Sequence, residues 1–295
     1  MDSTARPRRS VLYMPGSNAR ALEKGRGLPA DALILDLEDA VAPDAKDLAR
    51  QQIAEAVKAG GYGRRELAIR VNGLDTPWGR EDVAAAAACG PDAILLPKVE
   101  SAVMVTELEA AMAEAGAPAH TAIWCMMETP LGMLQAQQVA GASERVACLV
   151  MGTSDLVKDL QAAHTPQRLP VLTSLSLCIL AARAYGLAIL DGVHLDLQDD
   201  AGFADSCLQG KELGFDGKTL IHPKTIAKAN EVFAPSPAEV EQAHKIIAAH
   251  AAAAAEGKGV VVLDGKLIEN LHVEAAQRTV ALAAAISDME AAAAE

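Results

Sequence analysis

An α/β fold of the (β/α)8 barrel class, followed by a helical and hairpin extension, is what this sequence predicts, and three observations predict it. Short runs rich in Val, Ile and Leu recur eight times, continuous rather than alternating, as a parallel sheet buried on both faces requires. Segments of helical period separate them. One residue at the end of each run, namely Gly16, Asp36, Arg70, Pro97, Glu128, Asp155, Asp191 and His222, gives intervals of 20, 34, 27, 31, 27, 36 and 31 residues. That cadence fits a barrel of ~250 residues within a chain of 295. A doubly wound open sheet is the rival, but the turn Tyr13-Met14-Pro15-Gly16-Ser17 supplies no G-x-G-x-x-G after the first strand.

In chain order the predicted strands are 11–14, 32–37, 67–71, 93–96, 122–127, 146–151, 187–190 and 219–221, each closed by a polar or Gly/Pro cluster. Helix starts are signalled by Asp44 with Asp47, and by Pro77, Pro130 after Thr129, Pro170 and Pro223, each proline suited to a first helical turn. The pattern changes at Ala234. Pro235-Ser236-Pro237-Ala238-Glu239 reads as a capping box, with Ser236 as cap and Glu239 at the third position, opening a helix through the Ala tract to about Glu256. A strand at 260–263, a turn at Asp264-Gly265, a second strand and a last helix from about Leu271 follow. The expected domains are therefore a barrel over 1–233 and an extension over 234–295, too small to stand alone and expected to cover a barrel mouth, its own or a neighbour's.

Composition narrows the classes. With 51% hydrophobic residues the chain is not disordered, and two Trp, three Tyr and three Phe are too few for many half-buried antiparallel strands. No uncharged apolar run reaches membrane-spanning length, and residues from Arg6 to Leu12 lack a signal-peptide core, so a cytoplasmic protein is expected. Cys89, Cys125, Cys148, Cys178 and Cys207 are odd in number and mostly in apolar stretches, as small core residues rather than disulfides or metal ligands. A net charge of -13 argues against nucleic acid or an anionic membrane as partner. Against that background Arg6, Arg8, Arg9, Arg20, Lys24 and Arg26 form a basic N-terminal stretch, read either as a face for a small anionic ligand or as a solvated surface run.

In a (β/α)8 barrel the chemistry sits at the C-terminal strand ends. There the sequence places Asp36, Glu38 and Asp39, then Arg70 and Asn72, Lys98, Glu128, Asp155, His194 and His222. Several carboxylates at one mouth repel one another unless a cation offsets them, and two hard carboxylates completed by water and ligand oxygens describe a Mg²⁺ site. Glu128 and Asp155, from adjacent strands, are the chosen metal pair, and no H-x-x-H, H-E-x-x-H or C-x-x-C spacing points to zinc. Arg70 ends an apolar strand, where its fork would take a substrate carboxylate bidentately or pair with Glu38 or Asp39.

A set of motifs, in order along the chain, carries a resemblance. Leu35-Asp36-Leu37-Glu38-Asp39-Ala40-Val41, Arg70-Val71-Asn72-Gly73, Leu96-Pro97-Lys98, Met127-Glu128-Thr129, Gly152-Thr153-Ser154-Asp155-Leu156 and Gly217-Lys218-Thr219-Leu220-Ile221-His222-Pro223 together resemble the citrate lyase β-subunit-like family of CoA-ester lyases, within the HpcH/HpaI aldolase superfamily. The resemblance implies a TIM barrel, Mg²⁺ (with Mn²⁺ able to substitute) on Glu128 and Asp155, and a catalytic set of Arg70, Glu38, Asp39 and a tail carboxylate. It implies CoA, as part of the substrate, near Tyr13, Ser17, Arg20 and Lys24, with Lys98, His222 and Pro223 also counted among binding residues. Homotrimers or hexamers are implied, the tail covering a neighbour's site, as is retro-Claisen cleavage of malyl-CoA, β-methylmalyl-CoA or citramalyl-CoA to an acyl-CoA and an α-oxo acid.

The tail departs from the lyase pattern. Many lyases carry Gly-Lys-Met-Ile-Asp there, whereas this chain has Gly265-Lys266-Leu267-Ile268-Glu269-Asn270-Leu271-His272, more like the branch that hydrolyses (3S)-malyl-CoA. Glu269 takes the place of the catalytic Asp, and one extra methylene shifts the carboxylate by roughly 1 Å, enough to matter in a positioned reaction. Lyase, thioesterase and a carrier-protein-dependent citrate lyase β subunit all remain as expectations at this stage.

Overall fold

The computed structural model describes residues 6–255, 257 and 259–294. Two compact units are formed, Arg8–Phe233 and one built from Ala234 onward. In the first, eight parallel strands close on themselves: β1 (Ser10–Pro15), β2 (Ala32–Asp36), β3 (Glu66–Arg70), β4 (Ala93–Leu96), β5 (Ala122–Met127), β6 (Val146–Met151), β7 (Ala188–Asp191) and β8 (Gly217–Leu220), with β8 returning to pair β1. The predicted barrel is therefore present, and every strand lies within two residues of its expected place.

Two separate apolar layers explain why the runs do not alternate. Val11, Ile34, Ala68, Leu95, Trp124, Met126, Val150 and Leu190 form one cluster inside the barrel. The residues between them, among them Leu12, Leu33, Leu35, Ile69, Ile94, Leu149 and Ile189, join a larger cluster with the helices outside. Most strands are dry on both faces and carry charged residues only at their ends; β8, with Lys218 and Thr219 buried within it, is the exception.

The helices that matter for the site are α1 (Ala19–Gly25), α2 (Lys46–Ala59), α3 (Gly79–Cys89), α4 (Ala102–Glu114), α5 (Pro130–Leu134), α6 (Ala136–Ala140), α7 (Thr153–Asp159), α8 (Leu172–Ala184), α9 (Asp200–Leu213) and α10 (Ile226–Phe233). Side chains of Asn18, Ser101 and Thr129 cap α1, α4 and α5. Pro130 opens α5 directly, but the other four start signals are displaced: Pro170 and Pro223 fall in 3-10 turns, Leu169–Val171 and Pro223–Thr225, ahead of α8 and α10. A 3-10 turn at Pro43–Ala45 takes up Asp44, and α2 begins at Lys46 without a side-chain cap. Pro77 lies ahead of α3, which starts at Gly79, where only glycine fits because a Cβ would sit 2.2 Å from the Gly73 carbonyl oxygen.

The basic N-terminal stretch is not a face. Arg8 is buried and grips Glu66 through Nε and Nη2 at 2.6 and 2.8 Å, with its guanidinium over the Trp124 ring. Arg9, equally buried, grips Asp31 at 2.9 Å. Both precede β1 and close the floor of the barrel, at the opposite end of the strands from the mouth. Arg26 pairs with Glu23 and lies over Tyr62. Sequence proximity had grouped side chains that the β1–α1 reversal sends in different directions; only Arg20 and Lys24 remain exposed on α1 with no recorded partner among the described residues.

In the second unit α11 (Pro237–Ala255) packs on α12 (Asn270–Ala294), with β9 (Val261–Leu263) and β10 (Lys266–Ile268) forming an antiparallel hairpin between them. The capping box is present: Glu239 N–H donates to Ser236 Oγ at 3.2 Å and Ser236 N–H to Glu239 Oε2 at 2.7 Å. Asp264 and Gly265 both take positive φ, 50° and 75°, as a two-residue hairpin turn needs. All five cysteines are free, four of them buried. Among the described residues no helix is long and apolar enough to cross a membrane.

Candidate active site

Even-numbered residues point inward on β2, β3 and β5, so Asp36, Arg70 and Glu128, just past the last turn of inner apolar residues, crown the barrel interior. Asp36 and Arg70 are register partners on adjacent strands. Arg70 forks onto Asp36, Nε to Oδ1 and Nη2 to Oδ2, each at 2.6 Å. The same carboxylate accepts the N–H groups of Glu38 at 2.9 Å and Ala40 at 3.1 Å, which wraps the β2–α2 loop around it. The remaining guanidinium edge, Nη1, meets Glu38 Oε2 at 3.0 Å and lies 3.8 Å from Asp39 Oδ2. Tyr13, inward from β1, sets its ring 4.9 Å from the guanidinium carbon. Burial opposes the charge on Arg70, but the hydrogen bonds and charge of Asp36 outweigh it and hold the guanidinium protonated.

Of the two expected roles the ion pair with Glu38 and Asp39 is present, whereas the bidentate grip on a ligand is corrected: the fork is filled by Asp36, and Nη1 also donates to Met126 Sδ at 3.8 Å. Asp36 was placed at the mouth by sequence but given no role. The signal that would have singled it out is its inward parity, shared with Arg70 across one strand pairing.

Glu38 is buried between two cations, with Lys98 Nζ on Oε1 and Arg70 on Oε2; burial raises its pKa, making it a weaker acid, and Arg70 partly offsets that. Behind it Lys46 Nζ donates to the carbonyls of Leu37 and Glu38 and to Asn72 Oδ1, at 2.7 to 2.8 Å, fixing the loop.

Glu128 differs from its neighbours. It is 2% exposed, and its recorded donor among the described residues is the backbone N–H of Lys98, at 2.8 Å to Oε1. Lys98 holds that N–H in place through a left-handed backbone, φ 49°. No side-chain cation among the described residues lies within ion-pairing distance, and burial pushes the carboxyl up to about 7. Gly152 closes the other side: a Cβ there would stand 2.4 Å from Glu128 Cβ and 2.5 Å from Oε2. Asp155 lies in the first turn of α7, not at the strand end, and its Oδ1 accepts Lys158 Nζ at 3.0 Å on the solvent side.

Tyr13, Asp39, Arg70, Glu128 and Asp155 line one cavity of about 320 Å³ with Asp36. Ile221 reaches it, but His222 does not; His222 is exposed and its Nδ1 accepts Lys224 N–H, capping a 3-10 turn that begins at Pro223. Ser17, Arg20, Lys24 and Lys98 also lie outside the lining, Lys98 acting on it through Glu128 and Glu38. Glu269 is exposed in the second unit, where it immediately precedes α12 and donates its backbone N–H to His272 Nδ1.

Carboxylate repulsion at the mouth is thus mostly relieved by Arg70, Lys98 and Lys158. What remains is a buried Glu128 short of positive charge, facing a cavity that Asp155 also lines. Among the described residues no three His, Cys, Asp or Glu cluster as metal ligands. Two carboxylates, with the remaining positions left to water and ligand oxygens, suit a hard divalent cation and not a closed zinc site.

Comparison with known proteins follows the same lines. Residues 9–223 match the HpcH/HpaI aldolase/citrate lyase family. A (3S)-malyl-CoA thioesterase of Cereibacter sphaeroides is 51% identical over 287 residues, covering 97% of this chain and 98% of the relative. The citrate lyase subunit beta of Escherichia coli is 37% identical over 277 residues, 92% of each chain. Among solved structures, the CitE protein of Mycobacterium tuberculosis in complex with magnesium, acetoacetate and coenzyme A superposes with a TM-score of 0.76 at 25% identity, over 95% of this chain and 99% of that one. By sequence match, barrel and relatives alike, the chain belongs to the HpcH/HpaI aldolase/citrate lyase family.

Proposed function

We propose that this chain is a magnesium-dependent enzyme acting on malyl-CoA-type thioesters, with hydrolysis of (3S)-malyl-CoA to malate and free CoA as its net reaction. The observation that carries this is the uncompensated Glu128 sharing one cavity with Asp155 and the Asp36-braced Arg70. The choice of hydrolysis is supported by 51% identity to a named thioesterase against 37% to citrate lyase β subunits. Glu128 and Asp155 would hold Mg²⁺, or Mn²⁺ in its place, which when bound supplies a Lewis acid for the substrate's oxygen atoms.

The chain's own residues do the rest. Arg70 lines the cavity with its orientation fixed by Asp36, so positive charge would be preorganised beside a developing oxyanion. In hydrolysis a water oxygen bonds to the thioester carbon, the carbon–sulfur bond breaks, and the water's proton ends on the CoA sulfur. Glu269 is the proposed carrier of that proton, with Glu38 and Asp39 setting the charge around Arg70. Arg20 and Lys24, exposed and without recorded partners, would meet the CoA phosphates, and Ser17, Lys98, His222 and Pro223 would border the ligand's path.

A second reading, cleavage to acetyl-CoA and glyoxylate, uses the same cavity and is supported by the citrate lyase members of the family. Incubation with Mg²⁺ and (S)-malyl-CoA, following thiol, glyoxylate and acetyl-CoA separately, tests both. Thiol and malate without glyoxylate mean hydrolysis; glyoxylate with acetyl-CoA means the lyase. Turnover only of a carrier-protein-bound thioester would instead make the chain a citrate lyase β subunit. We further propose a homotrimer or hexamer in which each tail serves a neighbouring mouth. Co-expressed Glu269→Ala and Glu128→Ala chains should then regain activity together, whereas failure to complement places each tail over its own barrel.

A further inference from the structure

A second cavity, about 680 Å³ and larger than the first, lies outside the barrel wall, with Thr153 and Val193 as the partition between the two. Its floor is an ion cluster. Asp191 and Lys218 are register partners on β7 and β8, 0% and 1% exposed, on the strand face opposite the inner apolar residue Leu190. Lys218 Nζ donates to Asp191 Oδ2 at 2.8 Å, and Arg168 Nη1 donates to both Asp191 oxygens at 2.6 and 2.8 Å. Two cations thus share one carboxylate, leaving a positive charge over. Arg168 is held by Gln209 Oε1, 2.7 Å from Nε, and its backbone takes φ 55°, a conformation that a side chain of this size adopts at a cost.

Nine buried side-chain polar atoms among the described residues have no hydrogen-bond partner, and four of them, Thr165 Oγ1, Arg168 Nη2, His194 Nε2 and Ser206 Oγ, belong to residues lining this one cavity. Such atoms are scarce in folded proteins because burying them unpaired is unfavourable. An Arg nitrogen only donates, and both hydroxyls can donate. Burial, then the charge of Lys218, lowers the proton affinity of His194, so its ring is neutral with one N–H to give. A partner for this set must bring acceptor atoms and negative charge. The rim is different: Asp196, Asp199 and Asp205 are exposed there; Asp196 accepts a backbone N–H of its own loop, and Asp199 caps α9 by accepting Gly202 N–H while its Oδ2 stands 3.9 Å from His194 Nε2, beyond hydrogen-bond reach. A ligand must therefore set its anionic group on the floor and leave a neutral or cationic body outward.

We propose that this cavity is a binding site for a small oxyanion, a carboxylate or a phosphate, separate from the Arg70 and Glu128 cavity. Neither residue set depends on the other, so the site stands whether or not the proposed reaction does. Calorimetric titration of the full chain in Mg²⁺ with lactate and, separately, with inorganic phosphate tests it. Saturable binding of one or both is expected, and which one binds tells carboxylate from phosphate. Arg168→Gln should weaken it at least about tenfold and Ser206→Ala by roughly fivefold, while Glu128→Gln leaves it unchanged. Ser206→Ala removes one hydroxyl and keeps the test decisive if thermal denaturation shows that Arg168→Gln does not fold. No binding of either anion below about 10 mM, binding indifferent to both cavity variants, or binding lost with Glu128→Gln would each overturn the assignment.

Discussion

The two flanks of the barrel mouth carry the same kind of residue in opposite electrostatic states. Asp36, at the end of β2, is fully buried and accepts two guanidinium and two backbone hydrogen bonds. Glu128, one residue past β5 and almost as buried, accepts one backbone hydrogen bond and among the described residues pairs with no side-chain cation, Lys98 and Arg70 acting on it only from farther off. A buried carboxylate whose charge is balanced locally is part of the scaffold; one whose charge is not balanced has a task that something from outside must complete. Position at a strand end alone does not separate the two.

The sharpest way to break this comparison is to neutralise each carboxylate in turn. Glu128→Gln should abolish turnover while leaving thermal stability equal or higher, because it removes an uncompensated buried charge. Asp36→Asn should do the reverse in stability, losing about 3 to 5 kcal/mol in denaturant titration as Arg70 is left buried and unpaired. If both variants lose stability equally, Glu128 has a structural partner. Turnover that survives EDTA unchanged would remove the metal from the reading.

Arg70→Lys keeps the charge but not the fork. A lysine cannot span both Asp36 oxygens, so activity should fall roughly 30- to 150-fold, with some loss of stability. A variant within about threefold of the parent would make Arg70 a strut for the loop and no more.

The pH dependence of the metal-free protein tests the flank directly. Glu128 rises from 4.5 to about 7 on folding, so between those values the folded state binds more protons than the unfolded one. Stability should therefore fall as pH rises through that window, by about 3 kcal/mol. Glu128→Gln should flatten that slope, and Mg²⁺ should oppose it. A slope that persists in the variant belongs to other groups.

Gly152→Ala presses a methyl group on Glu128 without touching any charge. Activity should drop on the order of 10- to 100-fold, as misplacement of a positioned group by an ångström does. Unaltered turnover would mean that the loop yields. The smallest effect is expected at α1: Arg20→Ala with Lys24→Ala should raise KM for the CoA ester severalfold at nearly constant kcat, and weaken the salt dependence of KM. A constant KM would return both to solvated surface.

Much of this was legible in the chain itself. Continuous Val/Ile/Leu runs at barrel spacing come from the demand for two dry strand faces, and the capping box at Ser236 and the Asp264-Gly265 turn are local hydrogen-bond chemistry that needs no tertiary partner. The carboxylates and Arg70 could be placed at the mouth because a strand's end is a one-dimensional property. Which of them meet could not, because that depends on strand register and inward parity across a closed sheet. Hence Arg70 meeting Asp36 and not the open cavity, Arg8 and Arg9 sealing the floor while Arg20 and Lys24 stay in water, and Arg168, His194 and Ser206, up to 38 residues apart in sequence, converging outside the wall were decided only when the barrel closed. Sequence set the kinds of residue at each height of the barrel; burial and pairing between neighbouring strands decided which charges cancel and which are left for a ligand.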